Sequence, residues 1–328
     1  MRKFLTALSF ILLSTTVDAE VKLPPIFGDN MVLQQKSDAA LWGSSRPGAT
    51  VVISPSWSAS KIKVKTDAEG KWFTRVVTPA SGGPYELTFD DGELLTLTNV
   101  MIGEVWICSG QSNMEMPLRG FVNQPVKGAA EYIATAVPSV PIRYCKLKKV
   151  SSLEPQPECE AKWCEHTSES LPELSAVAYF FAQMINRSQG VPVGLIVAAW
   201  GGSTIEAWME KSIIEKDFAG ELDLSAYKVG VLPEKYSYRL PGTLYNGMLN
   251  SVIPYTAKGF LWYHGEQNKE RAEQYTRLQP AFVKMLREKW GDEKMPFYFT
   301  QIAPYGYRDP MVGGTFMYAQ SRTLKTIP

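Results

Sequence analysis

The sequence predicts an α/β fold with a mainly parallel sheet, preceded by a small β-sandwich-like domain. Three observations carry this. From residue 20 to about 99, short strand-like segments recur between Gly-, Pro- and Asp-rich turns, the pattern of a small sandwich. From about residue 100, apolar strand-like runs alternate with helix-like segments, which argues for a parallel sheet covered by helices. Three of those runs end in polar or Gly-rich clusters, and sites in open α/β sheets form outside the carboxyl ends of strands.

The elements follow in order. Residues 1–19 read as a secretory leader: Arg2 and Lys3 give a basic start, residues 4–13 are mostly apolar, and Val17-Asp18-Ala19 is a small-x-small cleavage site. The apolar run is short for a bilayer span, so the mature chain is expected to be exported, to the periplasm or the extracellular space, or to the secretory pathway or lysosome in a eukaryote. Residues 20–99 form the β-rich part, with Thr50-Val51-Val52-Ile53 and the alternating Lys61-Ile62-Lys63-Val64-Lys65 as its plainest strands. Residues 100–328 form the α/β part. Its strands are Gly103-Glu104-Val105-Trp106-Ile107-Cys108, residues 193–199, Gly259-Phe260-Leu261-Trp262-Tyr263 and residues 297–302. Helices are expected over 175–188, with Gly190 as the stop, and over 270–290, with a break near Pro280. Residues 217–241 lack periodicity and read as an excursion near the site.

Net charge is +1, from 34 basic and 33 acidic residues, so neither nucleic acid nor an anionic membrane is an expected partner. Of the four cysteines, Cys108 lies in an apolar run and is expected to be a buried free thiol, while Cys159 and Cys164 are spaced for a local bridge, with Cys145 as another candidate partner. Cys159, Cys164 and His166 lack a fourth ligand for a zinc reading, so no metal is expected.

The clusters at the strand ends are Ser109-Gly110-Gln111-Ser112-Asn113-Met114, Gly201-Gly202-Ser203 and His264-Gly265-Glu266-Gln267-Asn268. Ester hydrolysis needs a nucleophile, a base and donors for the tetrahedral oxyanion. Ser112 at a strand-to-helix turn exposes its hydroxyl. Its own N–H, an N–H from Gly202 or Gly201, and the Asn268 amide are donors of the right kind.

These motifs resemble the three blocks of the sialate O-acetylesterase branch of the SGNH hydrolases. Gly110-Gln111-Ser112-Asn113-Met114 matches the first, Gly201-Gly202-Ser203-Thr204-Ile205-Glu206-Ala207-Trp208 the second, and Trp262-Tyr263-His264-Gly265-Glu266-Gln267-Asn268 the third. The lead-in Leu23-Pro24-Pro25-Ile26-Phe27-Gly28-Asp29-Asn30-Met31-Val32-Leu33-Gln34 is similar to the β-rich start of these proteins. The resemblance implies an SGNH-like three-layer domain and no cofactor. It implies O-deacetylation of a sugar, sialic acid 9-O-acetyl groups first and acetylated xylan or another polysaccharide as the alternative. It makes Ser112 the nucleophile and Gly202 (or Gly201) and Asn268 the oxyanion donors. Gln111 and Asn113 would hold the serine turn, and Glu266 would orient the third block.

The chain departs from the family at two points: no Asp-x-x-His follows the third block, and His264, one of the two histidines present with His166, stands where the family commonly has Gln. The expectation is a chain lacking its carboxy-terminal part and with it the base, which would leave a catalytically dead carbohydrate-binding fragment as a further reading. His264 is the candidate substitute base. Arg119 is the candidate partner for a sialic acid carboxylate. A glycoside hydrolase using two of Glu104, Glu115, Glu206 and Glu266 is the rival enzyme class. Oligomeric state is not legible.

Overall fold

The computed structural model describes residues 20–327; the expected leader lies outside them. Strands among these residues are β1 (Val32–Gln34), β2 (Asp38–Ser44), β3 (Thr50–Pro55), β4 (Ile62–Lys65), β5 (Lys71–Val77), β6 (Gly82–Asp90), β7 (Leu94–Gly110), β8 (Ile142–Lys146), β9 (Trp163–Cys164), β10 (Val193–Ala199), β11 (Gly259–Tyr263) and β12 (Phe297–Thr300). Helices are α1 (Ser112–Glu115), α2 (Ala129–Ala134), α3 (Ala176–Gln189), α4 (Lys211–Asp217), α5 (Ser225–Val229), α6 (Thr243–Gly247), α7 (Ala272–Trp290) and α8 (Pro310–Thr323). The fold is mixed α/β with a mostly parallel central sheet.

That sheet runs β9-β8-β10-β7-β11-β12. Every neighbouring pair is parallel except β9 on β8. β10 reads Val-Gly-Leu-Ile-Val-Ala-Ala and is buried throughout, as a central parallel strand covered on both faces must be. Alternation splits it cleanly. Ile196 and Ala198 join Val105 and Ile107 in a core shared with Leu278 and Phe282 of α7. Leu195 and Val197 join Trp106 and Cys108 on the opposite face, with Ala178 and Tyr179 of α3. Helices therefore cover both faces.

Both long helices follow from local signals. Ser175 caps α3 by accepting from the Ala178 N–H at 3.3 Å, and Gly190 ends it in the left-handed region. The expected break near Pro280 does not occur: α7 runs through it. Tyr275, Leu278, Phe282, Val283 and Leu286 form a buried stripe, and burying it outweighs the roughly 3 kcal/mol that an internal proline costs.

The amino-terminal strands join the central sheet directly. β7 is one strand of 17 residues. Its first half pairs with β6 and β1, and its second half, from Trp106 in the case of β11, pairs with β10 and β11. The expected division at residues 99 and 100 thus falls inside a continuous strand. The β2–β5 pair packs beside this sheet, with Trp72 against Phe89 at 5.8 Å.

The expected Cys159–Cys164 bridge is absent: all four cysteines are free thiols. Cys164 stands on β9 opposite Tyr144, while the Cys159 thiol donates to the Lys148 carbonyl at 3.1 Å. Cys108 is buried, and burial raises its pKa. No helix among the described residues is long and apolar enough to cross a membrane.

Gly103 sits where β7 passes from one set of partners to the other. A Cβ there would stand 2.0 Å from the Pro192 carbonyl oxygen. Gly103→Ala should push the start of β10 away from β7 and cost about 1–3 kcal/mol. Urea unfolding checks this, and an unchanged midpoint would remove Gly103 as a spacing constraint.

Candidate active site

The site lies at the carboxyl ends of β7, β10 and β11. Gly110 closes β7 with φ +146°, and a Cβ there would meet the Tyr263 carbonyl oxygen at 2.2 Å. Only glycine fits so close an approach in that backbone region. The Gln111 N–H then donates to the Tyr263 carbonyl at 3.1 Å, and the Gln111 side-chain oxygen accepts from the Gly265 N–H at 3.2 Å. The serine turn is thereby fixed to β11 and to the loop after it. Ser112 follows as the first residue of α1, partly exposed.

Two further bonds bring the three clusters together. Asn113 donates to Glu266 at 2.6 Å, joining the first cluster to the third. Glu115 accepts from the Gly201 N–H at 2.6 Å, joining the first to the second, and its other oxygen is ion-paired with Lys149. This separates the two glycines chemically. The Gly201 N–H is engaged, whereas the N–H groups of Gly202 and Ser112 have no acceptor among the described residues. Gly202 itself lies at φ +75°.

Asn268 is buried in a network of its own. Its side-chain oxygen accepts from the Ile205 N–H at 3.0 Å, and its amide donates to Glu206 at 2.8 Å. The second Glu206 oxygen is paired with Arg271 at 2.5 Å. One amide hydrogen of Asn268 remains for another acceptor. Glu206, in the first turn of the short helical segment Ile205–Trp208, is the buried carboxylate that accepts from this amide. Only its position six residues after the Gly-Gly pair's predecessor Trp200 could have signalled the role.

Glu266 has one buried oxygen without a partner, and burial raises its pKa. The glycoside hydrolase reading loses its pairs. Glu115 and Glu206 are each held by a cation and a hydrogen-bond donor. Glu104 accepts from Gln35 at the opposite end of the parallel part of β7, about 20 Å from Gly110 at strand rise.

The histidines and Arg119 stand elsewhere. His264 is fully buried, with Nε2 2.9 Å from the Ser203 carbonyl, Nδ1 3.3 Å from the Tyr275 hydroxyl and its ring stacked on Trp262. No bond joins it to Ser112, so the geometry does not offer it as the base. His166 is buried between the Val137 carbonyl and Tyr179. Arg119 donates to Glu173 at 2.6 Å, so it is already neutralised. No cluster of three or more His, Cys, Asp or Glu that could hold a metal occurs among the described residues.

The excursion at 217–241 contributes Tyr236, Tyr238 and Arg239, which the sequence did not single out. Tyr238 stacks on Trp200 at 5.0 Å and 17°, and Lys149 lies over the other ring of that pair, 5.6 Å from Trp200. Arg239 donates from Nε to the Gly202 carbonyl at 3.1 Å.

A parallel α/β sheet with three polar clusters at its strand ends is the layout of a site in an open α/β fold. The family model described as carbohydrate esterase, sialic acid-specific acetylesterase, matches residues 102–323, and the chain belongs to that family. Among its relatives, the human sialate O-acetylesterase is 28% identical over 278 residues, covering 79% of this chain and 51% of that protein. The Mus musculus sialate O-acetylesterase is 26% identical over 321 residues, covering 84% and 59%. The solved structure of a carbohydrate acetylesterase from Xanthomonas citri superposes with a TM-score of 0.81 at 32% identity, covering 94% of this chain and 67% of that one. The chain spans about half the length of the curated relatives it matches.

Burial lowers the pKa of His264 from 6.5 to about 3. The folded chain therefore keeps it neutral where the unfolded imidazole takes up a proton. Between those values the unfolded state binds more protons, so stability falls as pH drops from about 6.5. The loss should reach on the order of 3 kcal/mol by about pH 4. His264→Gln should flatten that slope in urea titrations at a series of pH values. Parallel slopes for the two proteins would contradict it.

Proposed function

We propose that this chain provides the nucleophile and oxyanion donors of a serine esterase that removes O-acetyl groups from sugars, sialic acid 9-O-acetyl groups first among them. The observation that carries the reading is the pair of unengaged backbone N–H groups, at Ser112 and Gly202, on either side of the serine turn. Such donors, preorganised toward a developing oxyanion, are each worth on the order of 3 kcal/mol of barrier. The third donor is the free hydrogen of the Asn268 amide, held in aim by Glu206.

In the proposed reaction Ser112 Oγ loses its proton to a base and attacks the acetyl carbonyl. The oxyanion rests on the Ser112 and Gly202 N–H groups and on Asn268. As the tetrahedral intermediate collapses, the C–O bond to the sugar breaks and the sugar oxygen takes up the proton. Water then attacks the acetyl-serine, releasing acetate and restoring the hydroxyl. The base is assigned to neither His166 nor His264, since both are engaged elsewhere. Gln111, Asn113 and Glu266 are proposed to hold the serine turn, with Gly201 kept for Glu115. Export past the inner membrane or into the secretory pathway belongs to the same proposal.

A second reading, a carbohydrate-binding scaffold without turnover, is favoured by one observation: the Ser112 hydroxyl has no hydrogen-bond partner among the described residues. Acetylated xylan is the alternative substrate, since a neutral polymer needs no cationic partner.

Acetate release from 9-O-acetylated sialic acid decides between them. Ser112→Ala should bring release to the level of buffer alone. Asn268→Ala should lower kcat about 10²- to 10³-fold, more than it changes KM. Release by this chain that survives Ser112→Ala would sink the nucleophile assignment. Folded protein without release, activated by appending an Asp-x-x-His segment, would show that the base comes from outside this chain.

A further inference from the structure

Arg239 is built into the rim of the candidate site in an unusual setting. Its guanidinium carbon lies 4.3 Å from the Tyr236 ring centroid and 5.6 Å from that of Tyr238. Tyr236 adopts φ +62°, a backbone region that bulky residues rarely enter, and in doing so brings its ring against the cation. Nε donates to the Gly202 carbonyl, and the Arg239 carbonyl accepts from the Thr204 hydroxyl at 2.8 Å. The side chain is thus held on its Nε edge and flanked by rings. Its two terminal nitrogens have no hydrogen-bond or ionic partner among the described residues.

The other cations near the site are neutralised. Lys149 is paired with Glu115 and Arg271 with Glu206. Arg239 has no carboxylate partner among the described residues; the ring faces hold its plane and leave its charge unmatched by an anion. An arginine held on one edge presents a planar fork of donors on the other, which matches a carboxylate in bidentate geometry.

Position completes the argument. A Cβ on Gly201 would lie 3.3 Å from the Ser112 Cβ, and a Cβ on the adjacent Gly202 would lie 3.6 Å from Arg239 Nη2. With neighbouring Cα atoms about 3.8 Å apart, nucleophile and fork lie no more than on the order of 10 Å from each other, within the span of a single sugar acid.

We propose that Arg239 is the specificity-determining residue of the site, binding the carboxylate of an acidic sugar while Ser112 addresses an acetyl group at the sugar's other end. This rests on the sugar O-acetylesterase reading and names the substrate feature that site selects. Trp200 and Tyr238, stacked beside it, form the apolar wall against which the sugar lies.

The test measures binding first, so that it does not depend on turnover. N-acetylneuraminic acid and its methyl ester, which lacks the negative charge, are titrated into the chain by calorimetry. The acid should bind about ten- to a hundredfold tighter than the ester. Arg239→Met should bring the acid down to the level of the ester and leave the ester unchanged, with the melting temperature kept. Arg239→Lys keeps the charge and loses the fork, and should recover only part of the difference. Equal binding of acid and ester by the parent chain, no binding of the acid, or an equal loss of both on Arg239→Met would overturn the proposal. Acetate release then separates this inference from the reading beneath it. Arg239-dependent binding of the acid without Ser112-dependent release would leave the anchor standing and remove the esterase. Ser112-dependent release that Arg239→Met lowers equally on acetylated sialic acid and on a neutral acetylated xylo-oligosaccharide would do the reverse.

Discussion

The candidate site depends on one close approach, that of Gly110 to the carbonyl of Tyr263. β7 carries the serine turn and β11 carries the third cluster, and their register, Trp106 against Gly259 through Gly110 against Tyr263, fixes how far each projects. At the end of that register the two chains are too near for any side chain on residue 110. Gln111 then bonds to both sides of the junction, through its N–H to Tyr263 and through its side chain to Gly265. Ser112 has no freedom left but to emerge at the head of α1. A one-residue slip of β11 would break these bonds and turn Trp262 from one core to the other.

The second level of order is carried by carboxylates that a sequence reader would take for catalysts. Glu115, Glu206 and Glu266 each bond to a group from another cluster: Glu115 to Gly201, Glu206 to Asn268, Glu266 to Asn113. Chemically, ionised carboxylates are acceptors only, so they can hold donors in place but cannot themselves serve an oxyanion. Their effect is to decide which donors stay free. Glu115 takes the N–H of Gly201, while that of Gly202 has no acceptor among the described residues, a difference between adjacent glycines that no sequence pattern distinguishes.

The strands and long helices were legible because their signals are local. Residues 193–199 are apolar without interruption, and the 175–188 helix carries its cap at Ser175 and its stop at Gly190. Pro280 misled for the opposite reason: its cost is local, but the stripe from Tyr275 to Leu286 that overrides it is tertiary. The boundary near residue 99 misled as well, since the change of pattern there marks a change of partners along β7 and not a break in the strand. At the site, the three clusters and Ser112 were visible as turn chemistry at strand ends. His264 looked like a base because it occupies a strand end, and its burial between Trp262, Tyr275 and the Ser203 carbonyl depends on contacts up to 61 residues away. The 217–241 excursion hid Arg239 because stacked rings and an inward Nε have no periodicity to betray them.

Charge pairing explains why that excursion matters. Desolvation offsets much of the Coulomb gain of a buried ion pair, so the pairing of Lys149 with Glu115 and of Arg271 with Glu206 is better understood by what it removes. Each neutralised cation is one fewer competitor for an anionic substrate group, and each engaged N–H is one fewer misplaced oxyanion donor. Among the groups left open in the described residues are the backbone N–H groups of Ser112 and Gly202, one amide hydrogen on Asn268, and the outer fork of Arg239. In the proposed reaction the first three serve a neutral group that acquires negative charge as the tetrahedral intermediate forms. The fourth faces a group that carries it permanently. On that proposal the site distinguishes the two kinds of charge by position along one ligand, with the stacked rings of Trp200 and Tyr238 beside the fork.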